Sequence, residues 1–90
     1  YFLDQYEEAI KDFDKALELD PRNSYSREVR GFAYLYKFKY ELAEKDFKKA
    51  YEIDGNKVNF NHNIGKIYYH HIRKSKLFLK KRWKVINYED

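Results

Sequence analysis

Cysteine is missing from this 90-residue chain, which also holds only one proline, one tryptophan and three glycines. Without cysteine there is no disulfide, no thiolate metal site and no thiol nucleophile, a composition that fits a reducing compartment. Gly31, Gly55 and Gly65 are too scattered for a glycine-rich phosphate loop. No apolar run approaches the ~20 residues that a membrane-spanning helix needs, and no signal-peptide pattern opens the chain. The expected setting is intracellular, cytoplasmic or nuclear. The histidines, His62, His70 and His71, are spaced by one, eight and nine, whereas a helical metal-binding pair needs a spacing of about four. No metal or cofactor is therefore expected. No nucleophile–base–acid constellation is legible either, so the chain reads as a non-enzyme.

What is present is a folded composition, 43% hydrophobic and 20% aromatic, in a length that makes one domain at most. Its clearest feature is an internal repeat. Residues 6–20, YEEAIKDFDKALELD, return 34 positions later as residues 40–54, YELAEKDFKKAYEID, with ten of fifteen aligned residues identical. Self-similarity at a fixed period of this length marks a repeat architecture. The chain opens on Tyr1, partway through a repeat, and so reads as a piece of something longer.

Taken in order, Tyr1–Leu3 read as the tail of a helix. Asp4 with Glu7 fits a capping box for a helix over about 5–19, whose apolar residues fall at steps of three and four. Asp20-Pro21 ends it, because a residue before proline disfavours the helical region. Asn23 or Ser24 caps a second helix, about 24–37. Gly31 inside that helix costs about 1 kcal/mol relative to alanine, which predicts close approach of a neighbour. A third helix, about 40–53, ends at Gly55 in a left-handed C′ position. A fourth, about 58–71, is expected to turn Phe60, Ile64, Ile67 and Tyr68 inward. Ser75 predicts a cap for a fifth helix, about 76–87, rather than an unbroken continuation of the fourth.

The repeated phrase resembles the tetratricopeptide repeat, a 34-residue antiparallel helix pair. The central copy, residues 24–57, reads Arg27-x2-Arg30-Gly31-x2-Tyr34, then Ala43-x3-Phe47, Ala50 and Gly55. The half repeat before it gives Ala9-x3-Phe13, Ala16 and Pro21, and the half after it Asn61-x2-Ile64-Gly65-x2-Tyr68. The likeness spans roughly residues 4–72. Arg27 and Asn61 stand where the family usually has an aromatic, and Arg30 where it usually has leucine. Arg30 is expected to snorkel outward or to pair with an acid such as Glu28 or Glu44. The likeness implies an all-α fold of antiparallel pairs stacked as a right-handed solenoid. Residues 1–72 would then hold the second helix of one repeat, one complete repeat and the first helix of a third, with 73–90 as a basic, capping C-terminal helix. The first helix lacks its own partner helix, so its apolar face is expected to be partly open, to be covered by upstream repeats or by a second copy of the chain.

The likeness also implies function: a scaffold that binds a peptide or partner helix of another protein in a concave groove. The groove candidates are Tyr25, Glu28, Phe32 and Leu35 on one first helix and Asn59, His62, Lys66, Tyr69 and Arg73 on the next. His62, Lys66 and Arg73 give this wall a positive character that favours an acidic partner. Some relatives grip a terminal carboxylate with Lys, Asn and Arg; here only Asn63 falls at such a position, and Glu28 would repel a carboxylate.

Charge offers a second reading. Residues 1–54 carry a net −3 and residues 55–90 a net +7, an asymmetry that predicts an acidic partner for the basic end. Lys74, Lys76, Lys80, Lys81, Arg82 and Lys84, interleaved with Phe78 and Trp83, form a basic aromatic patch. It reads either as an amphipathic terminal helix packed on its neighbour or as a surface that tracks a phosphate backbone while rings stack on bases.

Overall fold

A computed structural model describes residues 3–87, with side chains placed for residues 5–82. Four helices follow one another: α1 (Leu3–Leu19), α2 (Ser24–Tyr36), α3 (Tyr40–Asp54) and α4 (Lys57–Asn87). Each packs on its chain neighbours, α1 on α2, α2 on α3, α3 on α4, which is the nearest-neighbour order of a helical solenoid.

The helix ends have local causes. Asn23 takes a hydrogen bond from the Ser26 amide at 3.0 Å and so caps α2. Arg27 donates twice to the Pro21 carbonyl, at 3.1 and 3.2 Å, so the arginine at an aromatic position braces the α1–α2 turn. Gly55 ends α3 at φ 68°, the left-handed conformation that glycine adopts without a Cβ penalty. Asn56, which has no counterpart in the sequence reading, caps α4 by accepting from the Asn59 amide at 3.0 Å. In the α2–α3 turn, Phe38 also has positive φ, 64°, a strained position for a bulky residue.

The core lies between α2, α3 and α4. Leu35, Ala43, Phe47 and Ile67 are buried, with Phe32, Tyr34, Tyr40, Phe60 and Ile64 packed around them. Gly31 owes its place to Phe47: a Cβ on Gly31 would sit 2.6 Å from Phe47 Cε1, closer than two carbons can approach. Phe32 meets the same ring edge-on, with centroids 5.1 Å apart.

Arg30 is the charged exception inside this packing. Its Nε and Nη2 clasp both oxygens of the buried Asp46, and Nη1 reaches Asp14 at 2.8 Å. One guanidinium thereby ties α1, α2 and α3 together through a bidentate pair and a third bond. The Asp46 hydrogen bonds raise its pKa above the ordinary arginine value. The expected partners, Glu28 and Glu44, are not the ones used. Glu28 lies two residues from Arg30, about 200° around the helix, and accepts from Asn63 instead; Glu44 pairs with Lys48.

Three further expectations change. α1 is already helical at Leu3, so Asp4 does not stand at its start in a capping box, and Glu7 binds Lys37 at 3.0 Å across α1 and α2. That contact holds the Glu7 carboxyl below the usual carboxylate range. Tyr1 and Phe2 of the expected helix tail lie outside the described residues. Tyr68 does not turn inward; it is 60% exposed, because no described helix covers α4 as α3 covers Tyr34. Finally, no fifth helix starts at Ser75. α4 runs unbroken for 31 residues, about 46 Å at the usual rise, because a lone serine leaves backbone hydrogen bonding intact and no glycine or proline interrupts it. The chain therefore has four described helices where five were expected, and the second half of α4 does not fold back: Leu77, Phe78 and Leu79 are exposed.

Candidate functional site

The first helices of successive repeats, α2 and α4, touch across the α3 layer. Asn63 Nδ2 donates to Glu28 Oε2 at 3.2 Å, and Lys66 Nζ lies 5.2 Å from the Phe32 ring centroid, a cation–π distance. Asn63 is buried, and Glu28, Phe32 and Lys66 are half-buried. These four side chains form a floor between two helices whose outer turns stay open.

Around that floor stand most of the residues that helical spacing singles out. Tyr25 is exposed on α2. On α4, Asn59, His62, Tyr69 and Arg73 are exposed, and Arg73 donates to the Tyr69 hydroxyl at 3.3 Å one turn away. Leu35 is the exception. It is fully buried in the core, because it lies at the seam between the concave and inward faces of α2 and the α3 side claims it. Asn63 is the reverse case, a groove-floor residue overlooked as such because its amide matters only once α2 and α4 are side by side.

The electrostatic character of the two walls differs. The α4 wall carries Lys66, Arg73 and His62, while the α2 wall offers Glu28 and aromatic carbon from Tyr25 and Phe32. No group of three or more metal-ligating side chains occurs among the described residues.

Other concavities lie elsewhere. One, of about 520 Å³, is lined by Arg27, Arg30, Tyr34 and Asp46 of α2 and α3, and the ions at its floor are already paired with each other. Another, of about 430 Å³, lies where α4 overhangs Tyr40, between His71, Lys74 and Phe78. The Tyr40 hydroxyl is buried there with no hydrogen-bond partner among the described residues, and burial pushes its pKa up.

Beyond residue 70 the basic patch projects from the helix body. Residues 71–82 are exposed throughout. Lys74 sits over the Phe38 ring at 4.1 Å and Arg82 over Phe78 at 5.7 Å, while Lys76, Lys80 and Lys81 face solvent. Trp83 and Lys84 lie outside the described side chains. No described helix is long and apolar enough to cross a membrane.

Comparison with known proteins agrees with this geometry. Two tetratricopeptide repeat family models match the chain, one over residues 1–23 and the other over residues 26–57. No curated protein and no solved structure was found to match it. Repeats of this kind generally serve as scaffolds for protein–protein interaction and are typically non-enzymatic. With the 34-residue period, the helix pairing and the Gly31–Phe47 contact that the period encodes, the chain belongs to the tetratricopeptide repeat family.

Proposed function

We propose that this chain is a scaffold that holds a peptide or helix of another protein in the groove between α2 and α4, and that the ligand is acidic where it meets α4. The observation that carries this reading is the bridged floor, Glu28 to Asn63 and Lys66 to Phe32. It fixes the spacing of two walls whose remaining side chains are free to contact a ligand. Tyr25 and Tyr69 supply aromatic surface, the residue type enriched in binding hot spots. Lys66 and Arg73 supply the charge. In this reading residues 1–72 are the repeat scaffold and the remainder a basic arm.

A peptide library displayed against residues 1–90 tests the proposal. Selected sequences should be enriched in Asp and Glu beside an apolar anchor. Binding should fall at least tenfold in Lys66→Glu and in Tyr69→Ala, with the helical signal intact. Selected peptides indifferent to both substitutions would contradict the groove.

A second reading rests on a separate observation, the exposure of the whole 71–82 segment with its lysines and the Phe78 ring. Such a projecting basic helix suits a nucleic-acid backbone. Its signature is affinity for single-stranded RNA that falls steeply with salt, through counterion release, and that disappears in a 1–72 truncation. A flat salt response excludes it.

A further inference from the structure

The repeat offers an internal comparison that reaches beyond the groove. On α2, Gly31 makes room for Phe47, and the α3 residues Ala43, Phe47 and Ala50 are all buried against it. Thirty-four residues later, Gly65 occupies the same repeat position on α4, but a Cβ there would meet nothing within 4 Å. Asn61, Gly65, Tyr68 and Ile72 recur at helical spacing and are all exposed. This stripe lies beside the groove wall, not within it. It is the seat that α3 fills on α2, left open on α4.

The chain also carries a surface shaped for such a seat. α1 holds the α3 phrase with ten of fifteen residues identical, and Ala9, Phe13 and Ala16 are its counterparts of Ala43, Phe47 and Ala50. Whereas the α3 residues are buried, Ala9, Phe13 and Ala16 are only half-buried, because α1 packs on α2 through a different face, with Asp14, Leu17 and Glu7. Charge favours the match. α1 has six carboxylates against two lysines, with Glu7 and Asp14 already paired to Lys37 and Arg30, and α4 has nine Lys and Arg with no acid, Lys57 and Lys66 on the turns around the stripe and the rest beyond it. Opposite fields of this kind steer association and fix orientation.

We propose that the α4 stripe around Gly65 is a docking surface for α1 of a second copy of this chain, with Phe13 seated on Gly65 as Phe47 is on Gly31. The contact is head to tail, so each copy keeps one free end, and association continues into open chains instead of closing as a symmetric dimer. One position weakens the copy contact relative to the internal one: Arg30, which binds Asp46, corresponds to Ile64, so Asp12 finds no arginine there.

Sedimentation equilibrium of residues 1–90 over a hundredfold concentration range tests this. The average mass should rise steadily above the 11.2 kDa of one chain. Gly65→Leu blocks the seat without touching the monomer, where that space is open, so it should stay at one chain mass with its helical signal intact. Phe13→Ala should do the same from the other side, and Ala9→Arg provides a second block should Phe13→Ala fold poorly. An equimolar mixture of Gly65→Leu with an α1 variant should form a complex of twice the chain mass and stop, since each supplies the surface the other has lost. A wild-type chain that stays monomeric, a Gly65→Leu variant that still associates, or a mixture that remains monomeric overturns the proposal. None of these results bears on the groove, whose residues are unchanged.

Discussion

Gly31 and Gly65 hold the same position in successive repeats, yet they should respond oppositely to one added methyl. At Gly31 the Cβ would collide with a buried ring, and overpacking of this kind costs about 1–3 kcal/mol. At Gly65 the space is open, so alanine should stabilise the monomer by up to about 1 kcal/mol through helix propensity. Urea unfolding of dilute Gly31→Ala and Gly65→Ala checks the pair. Phe47 is 1% exposed, and Phe47→Ala should cost about 3–5 kcal/mol; a midpoint that barely moved would remove it from the core. Arg30→Leu restores the family's usual residue but leaves the buried Asp46 carboxylate without its partner. It should destabilise by up to about 3 kcal/mol, and Asp46→Leu in the same chain should recover much of that loss. Tyr34 and Tyr40 give the pH dependence, since burial raises both phenols above their ordinary value. A raised pKa means the unfolded chain ionises first. Their contribution is thus complete below about pH 10 and declines as pH climbs above it. Denaturant titrations from pH 8 to 11 should show this decline, and Tyr40→Phe should flatten it while removing the unpartnered hydroxyl.

At the scale of the element, α4 is where sequence and structure part. Its first half was readable: the 34-residue offset from α2 placed Gly65, and Phe60, Ile64 and Ile67 pack on the core as expected. Its second half was not, because a serine among lysines and apolar residues is compatible with either a cap or a helix interior, and local pattern carries no energy to choose. Tyr68 was misplaced for a related reason. Periodicity gives the face of a helix but not whether a neighbour exists to cover it. Leu35 and Asn63 show the limit at single residues, since adjacent faces of α2 differ by one helical step and the Glu28–Asn63 bond joins residues 35 apart. By contrast, Asn23, Gly55 and Gly31 were legible because cap, left-handed turn and close approach each demand a particular chemistry. The exposed half of α4 should also open more readily than the packed half. Amide exchange should be fast over 74–82 and slow over 60–70, and equal protection along α4 would show that something covers its end.

Across the whole molecule, charge and shape divide the work. The acidic α1 and the basic α4 lie at opposite ends of the helix order, and the proposed groove is framed by the two first helices, α2 and α4. Three surfaces are proposed: the groove, the open seat on α4 and the projecting basic turns. They use different faces, so each has a separate test, but the groove is central because the family match and the bridged floor both bear on it. The most direct measurement is an amide chemical-shift map of labelled residues 1–90 titrated with an acidic helical peptide carrying an apolar anchor from the display selection. Shifts should concentrate on residues 25–32 of α2 and 59–73 of α4 and vanish in Lys66→Glu. Shifts confined to residues 74–82, or spread along the outer face of α3, would contradict the groove as the site of binding.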